Sequence, residues 1–232
     1  MPTDTFLRLN EEKRKNITRC ATRAFAANGF SGTSMDSVAE AAGVAKGALY
    51  RYFLNKKDMY LHVVDALRED TQAYIVEFLE QRRRQDVFDT MRDWLVSSYT
   101  TQERFDTHRK VLCNILYQES LDFKEEALTR FGNLSSHYVK LAIQQGIASG
   151  TICENINLDA AAFMVQCVED RFHDGVTVPF LDVGYALYNQ PQAVIEYKAD
   201  QIIDLFRRAF GKQKLTHEDS QSGKRNDRSM LA

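Results

Sequence analysis

Proline is scarce in this chain and cysteine is scattered. Only Pro2, Pro179 and Pro191 occur in 232 residues, which leaves long stretches free of helix breakers. Cys20, Cys113, Cys153 and Cys167 form no C-x-x-C pair and no zinc-like or disulfide-like spacing, so no metal or cofactor is expected and a reducing compartment fits. Long apolar runs are also missing, since the longest, 160–165, falls far short of the ~20 residues a membrane-spanning helix needs. No basic segment followed by an apolar one opens the chain, so a cytoplasmic, unexported protein with no membrane partner is expected. With 44% apolar and 27% charged residues the chain can bury a core, which excludes disorder as its main condition.

Apolar positions recur at helical spacing through most of the sequence, which predicts an all-α protein. The net charge of −2 hides an asymmetry. Residues 1–57 carry ten Lys or Arg against five Asp or Glu, giving +5, and residues 58–232 carry 20 against 27, giving −7. Positive charge is therefore concentrated where a polyanion would meet it.

Asn10 suits an N-cap, and Ile17, Cys20, Ala21, Ala24 and Phe25 then repeat as one apolar face, so a first helix is predicted over 10–28, ended by Asn28-Gly29. Thr33-Ser34-Met35-Asp36 has the form of a capping box and starts a short helix that stops at Gly43. A third helix covers 45–53, and a long fourth runs from 55 to about the arginines at 82–84. Further helices are expected near 86–101, 105–119, 122–148, 158–173 and 191–210, with breaks marked by Gly132, Gly146, Gly150, Gly175 and Pro179. The segment 174–190 carries no clear pattern, and 212–232 reads as a disordered tail. The resulting domains are a small basic head at 1–55 and a helical body at 56–211.

Two short helices joined by the tight turn Ala42-Gly43-Val44 form a helix-turn-helix, whose second helix enters a major groove. Gly47 inside the second helix costs ~1 kcal/mol relative to alanine, which makes sense where backbone must approach something closely. On a helical wheel Lys46, Gly47, Tyr50 and Arg51 share one side and Ala48, Leu49 and Phe53 the other, with Tyr52 near the boundary. Lys56 and Lys57 occupy a helix first turn, where the dipole disfavours cations unless a phosphate is bound, and Thr33 and Ser34 offer hydroxyls beside free N–H groups. Each feature also has a plain structural alternative: Gly47 relieving crowding, Thr33 and Ser34 only capping, the lysines only solvated.

Residues 29–60, GFSGTSMDSVAEAAGVAKGALYRYFLNKKDMY, resemble the DNA-binding signature of the tetracycline-repressor (TetR) family of transcriptional regulators. The resemblance implies that Thr33 or Ser34 binds phosphate, that Lys46, Gly47 and Ala48 approach bases or backbone, that Tyr50 touches phosphate or a thymine methyl and Tyr52 phosphate, and that Lys56 anchors the duplex backbone. Ala45 departs from the serine often found there, which removes one cap and one phosphate contact.

A single head makes too few contacts for useful specificity, so a homodimer reading a palindromic operator is expected. Its interface is sought in the last two strong helices, at Phe163, Met164 and Cys167 and at Ile195, Ala199, Ile202, Phe206 and Phe210; packing within one subunit is the equal alternative. The resemblance further implies a small-molecule cavity in the body, sought among Trp94, Tyr99, Cys113, Tyr117, His137, Phe163, Cys167 and Phe172 and suited to a largely apolar or aromatic effector that releases a repressor from DNA. Two rivals remain. Asp170-x-x-His173 has metal-ligand spacing on one helix face, as in a helical-bundle metalloenzyme, and the helix-turn-helix could instead serve a protein partner.

Overall fold

The computed structural model describes residues 1–118, 120–132 and 134–212. Eleven α-helices appear among them: α1 Asp4–Leu7, α2 Glu11–Gly32, α3 Met35–Ala41, α4 Lys46–Tyr52, α5 Lys56–Gln81, α6 Val87–Thr100, α7 Gln102–Cys113, α8 Lys124–Phe131, α9 Leu134–Ala148, α10 Leu158–Thr177 and α11 Gln192–Phe210. No strand is found among the described residues, so the chain is all-α. The tail expected at 212–232 lies outside them, apart from Lys212.

Asparagine side chains cap three of these helices. The Asn10 side chain accepts from the Lys13 N–H at 2.8 Å, Asn55 from Asp58 at 2.8 Å and Asn157 from Ala160 at 3.0 Å, satisfying donors that each helix start leaves free. Gly29 kinks α2 with a φ of 67°, a left-handed turn open to glycine, so the regular part of the helix ends at Asn28.

Several helix boundaries differ from the sequence reading. Helix α1 was not anticipated. The predicted helix at 105–119 starts at Gln102 and relaxes into a π-helical turn, Asn114–Gln118. The stretch 122–148 divides at Gly132, with φ 66°, into α8 and α9. Helix α10 runs on to Thr177 through Gly175, and 174–190 holds a short 3-10 turn, Pro179–Leu181. Gly146 and Gly175 are therefore not breaks but points of close packing. A Cβ on Gly146 would stand 2.7 and 2.9 Å from the Ile152 side chain and 3.0 Å from Val87, and one on Gly175 would stand 3.0 Å from Leu187. Ile152 is fully buried and has nowhere to retreat. Gly146→Val should therefore lower stability by about 1–3 kcal/mol in urea unfolding although glycine is the poorer helix former.

Two cores result. The first joins α1–α4, the first half of α5, Val111 and Ile115 from the end of α7 and the π turn, and Phe123 and Ala127 at α8. The second joins α6, α9, α10 and α11 around Phe88, Leu95, Ile143, Val165, Ile195 and Phe206. Helix order suggests a division at 55/56, but packing draws the line elsewhere, because Met59, Tyr60, Val63 and Leu67 of α5 belong to the head's core. About 39 Å long at 1.5 Å per residue, α5 runs from the head into the body.

Candidate nucleic-acid interface and body pocket

The turn between α3 and α4 closes on Gly43, whose φ is 66°, while the Ala42 and Val44 N–H groups donate to the Val38 and Ala39 carbonyls, both at 2.9 Å. Leu49, Tyr52 and Phe53 seat α4 inward. Phe6 of α1 completes that seat, with its ring 4.9 Å from Phe53, 6.0 Å from Tyr52 and 5.0 Å from His62. The Thr3 N–H donates to the Tyr52 carbonyl at 2.9 Å and the Thr3 hydroxyl to the Arg51 carbonyl at 2.6 Å, so the N-terminal segment also holds the free end of α4. Its sequence signal was present in Thr3-Asp4 ahead of Phe6, an N-cap and a first-turn acid before a core residue.

The outer face of α4 carries Lys46, Gly47, Tyr50 and Arg51, all exposed, with Ala48 half-buried. Tyr50 leaves 45% of its surface open. No atom lies within 4 Å of the place a Gly47 Cβ would take, so nothing inside the chain requires glycine there and relief of internal crowding is not its reason. Lys46 is not free: its Nζ meets Asp36 Oδ2 of α3 at 2.5 Å, an ion pair the sequence reading missed.

Three expected contacts turn inward. Thr33 is 3% exposed and its hydroxyl donates to the Gly29 and Ala24 carbonyls at 2.7 and 3.1 Å, which ties down the kinked end of α2; the exposed Ser34 caps α3 instead, accepting from the Ser37 N–H at 3.0 Å. Tyr52 is 5% exposed and belongs to the core. The Lys56 Nζ donates to the Phe30 and Thr33 carbonyls at 2.7 and 2.9 Å and stands 4.4 Å over the Phe30 ring, a cation placed at the negative end of α2. Lys57 pairs with Glu126 at 2.8 Å. The dipole cost expected for both lysines is thus offset within the protein.

In the body a half-open pocket of about 440 Å³, including its mouth, lies among α5, α6, α9 and α10. Ile75, Phe78 and Leu79 come from α5, Thr90, Met91 and Trp94 from α6, Tyr138, Val139 and Ala142 from α9, and Glu169 from α10. Glu169 is 4% exposed in this apolar setting, and burial, helped by the like charge of Asp170, pushes its carboxyl up to about 8. His173, one turn further along α10, donates from Nε2 to the Trp94 carbonyl at 3.1 Å, and burial lowers it to about 4. Among the described residues no three His, Cys, Asp or Glu side chains gather as a metal site, and the Nε2 of His173 is already committed.

Of the eight residues expected around a ligand, only Trp94 lines this pocket. Tyr117, His137, Phe163 and Cys167 are exposed, Phe172 is core, and Tyr99 and Cys113 are half-buried elsewhere. The missed lining residue with chemistry is Glu169. Its signal was legible, since Val165, Glu169, Phe172 and Val176 form the buried stripe of α10, with an acid in a core position.

The expected dimer stripe also divides. On α11, Ile195, Ala199, Phe206 and Phe210 are buried and pack with α6 inside one subunit, and Ile202 is half-buried, so that stripe is not a free surface. On α10, Phe163, Met164 and Cys167 are exposed, as are Tyr197 and Leu205 on the outer side of α11.

A seated helix-turn-helix with a bare, basic-aromatic outer face, mounted on a helical body, is the arrangement of a DNA-binding regulator of transcription. A family model described as "Bacterial regulatory proteins, tetR family" matches residues 17–63. Across 221 residues the chain is 26% identical to a protein of Escherichia coli K12 described as "Probable acrEF/envCD operon repressor", covering 90% of this chain and 93% of that one. It is 33% identical over 89 residues to the regulator TtgR of Pseudomonas putida, covering 38% and 42% of the two chains. Among solved structures, a TetR family transcriptional regulator from Chloroflexus aurantiacus superposes with a TM-score of 0.61 at 28% identity, covering 92% of this chain and 100% of that one. Residues 17–63 thus match the model of the tetR family of bacterial regulatory proteins, and over most of its length the chain is similar to regulators of that kind.

Proposed function

We propose that this regulator is a homodimeric repressor whose two heads read successive major grooves of a palindromic operator and which a small, largely apolar effector releases from DNA. The observation that carries the reading is the division of α4, which buries Leu49, Tyr52 and Phe53 and leaves Lys46, Gly47, Tyr50 and Arg51 to solvent. A recognition helix needs that division, because its seat must hold while its outer face meets base edges. Ser34 and Lys46 supply phosphate contacts once the Lys46–Asp36 pair opens, Gly47 and Ala48 let the backbone approach, and Thr33, Tyr52 and Lys56 hold the head in shape.

The E. coli relative is described as a repressor, and a FadR structure from Bacillus subtilis, 20% identical with a TM-score of 0.60, is a complex with stearoyl-CoA, which supports a ligand site in such a body. Two connections run between body and head, one of them from the pocket wall. Helix α5 contributes both to the pocket wall and to the head's core, and Asn114 in the π turn donates to the Phe25 and Ala26 carbonyls near the end of α2 at 3.2 and 3.5 Å. An effector acts by binding the DNA-incompetent arrangement better; a hundredfold preference is ~2.7 kcal/mol. Among the described residues no helix is long and apolar enough to cross a membrane.

Lys46→Ala and Tyr50→Ala test the head directly. Both side chains are exposed, so thermal stability and dimerisation should change little while operator binding, followed by fluorescence anisotropy, falls at least about tenfold. Wild-type binding should weaken steeply with salt as phosphate contacts release counterions. Comparable loss of folding in both variants, or no DNA shift at low salt, would overturn the reading in favour of a protein-binding helix-turn-helix.

A further inference from the structure

The body pocket is apolar on every side except one. Helices α5, α6 and α9 bring it no charged side chain: Ile75, Phe78, Leu79, Met91, Val139 and Ala142 are hydrocarbon or thioether, and the Thr90 hydroxyl already donates to the Asp86 carbonyl at 3.0 Å. Into this half-open pocket α10 brings Glu169, a residue only 4% exposed, and among the described residues no hydrogen-bond donor or cation reaches its carboxyl. The one charge whose field it feels is that of Asp170, of the same sign. Buried carboxylates are ordinarily paired, because an unpaired one carries the full cost of leaving water. Among the described residues nothing pairs with it, and the same lining holds three rings, Phe78, Trp94 and Tyr138, of the kind that hold a cation over their faces, Arg82 already standing 3.8 Å over that of Phe78.

We propose that Glu169 is the specificity determinant of the pocket and selects a lipophilic monocation, an aromatic or alicyclic body carrying one positively charged nitrogen, over neutral and anionic molecules of the same shape. The proposal rests on the reading of this pocket as the effector site and names the effector's class. The charged nitrogen takes the place of a partner, the apolar walls take the body, and an anionic ligand meets a second negative charge with nothing to offset it. Free Glu169 holds a proton up to about pH 8, so seating a permanent cation expels that proton. Apparent affinity for such a ligand should then rise about tenfold per unit between roughly pH 6 and 8 and level off above.

Trp94 lines the pocket and is the only tryptophan of the chain, so its emission reports occupancy without a label. The test titrates the full chain with (naphthalen-1-ylmethyl)trimethylammonium, its neutral isostere with carbon in place of nitrogen, and a naphthyl carboxylate, at pH 6, 7 and 8. At pH 8 the wild type should prefer the ammonium over the isostere by about tenfold or more and take the carboxylate weakest. In Glu169→Gln, which keeps size and shape, the preference should shrink to within about twofold and the pH slope should vanish. Equal affinity of the wild type for ammonium and isostere, an unchanged preference in Glu169→Gln, or an affinity for the ammonium that does not rise between pH 6 and 8 would overturn the proposal. Release of operator DNA is read in parallel. A neutral probe that binds equally well and releases DNA leaves the effector reading standing and removes the cation, and a cation that binds without releasing DNA does the reverse.

Discussion

With no ligand present, Glu169→Gln will be more stable than the wild type at neutral pH, by roughly 3 kcal/mol at pH 7, and the gap will close below about pH 4.5. The folded chain keeps a proton on Glu169 up to about pH 8, whereas the unfolded chain releases it near the ordinary value of 4.5. Between those values the native state binds the extra proton, so wild-type stability falls as pH rises through the window and flattens above it. Glutamine is neutral throughout and matches the protonated acid in shape, so its curve lacks that decline. In a chain of this size the gap at pH 7 corresponds to a melting temperature roughly 6–12 °C higher for the variant. His173 gives the opposite slope in both proteins: held near 4 by burial, it refuses a proton that the unfolded state accepts from about pH 6.5 downward, so stability is lost on the acid side. Melting curves of the two proteins that stay parallel from pH 4.5 to 8 would mean that Glu169 is ionised and paired in the folded state.

The second large effect concerns assembly. Phe163→Glu combined with Leu205→Glu will turn the proposed dimer into folded monomers in light scattering and reduce operator affinity by about 10²–10⁴, the contribution of tethering a second head. Both side chains are exposed, Phe163 at 70%, so charge there costs the isolated subunit little. Ile195→Ala is the contrast. Ile195 is fully buried, so its truncation should cost about 2–5 kcal/mol of stability without specifically dissociating the subunits. A dimer that survives the double charge substitution would place the interface elsewhere.

The head was the most legible part of the chain, because its information is local. Caps at Asn10 and Ser34, the glycines at 29 and 43 and the apolar spacing of Ile17, Ala21, Phe25, Val38 and Leu49 act within a few residues of one another, and neighbouring backbone dictates their geometry. Side chains near a boundary were less legible. Tyr52 and Thr33 have the chemistry of DNA contacts, yet Phe6, far away in sequence, and the carbonyls of the kinked α2 claim them. Lys56 reads as a cation in an unfavourable first turn until the end of α2 is brought against it.

In the body, spacing alone could not separate an inner stripe from an interface. Ile195, Ala199, Phe206 and Phe210 have the period of either, and only the placement of α6 against them decides that they are core. The pocket shows the same limit, since aromatic content marked the right helices but mostly the wrong side chains, with Trp94 alone retained. A cavity is a space left among four helices, and no single helix encodes it.

The order of residues by itself determined an all-helical chain, its caps and kinks, and a recognition helix with one greasy and one basic-aromatic side, because helix periodicity and capping are short-range physics. Tertiary structure alone decided that Lys46 is paired, that Tyr52 is buried and that Glu169 faces an apolar pocket with no partner among the described residues. Those facts depend on which distant side chains arrive at the same place, and the free energy of a charge is set by its neighbours in space.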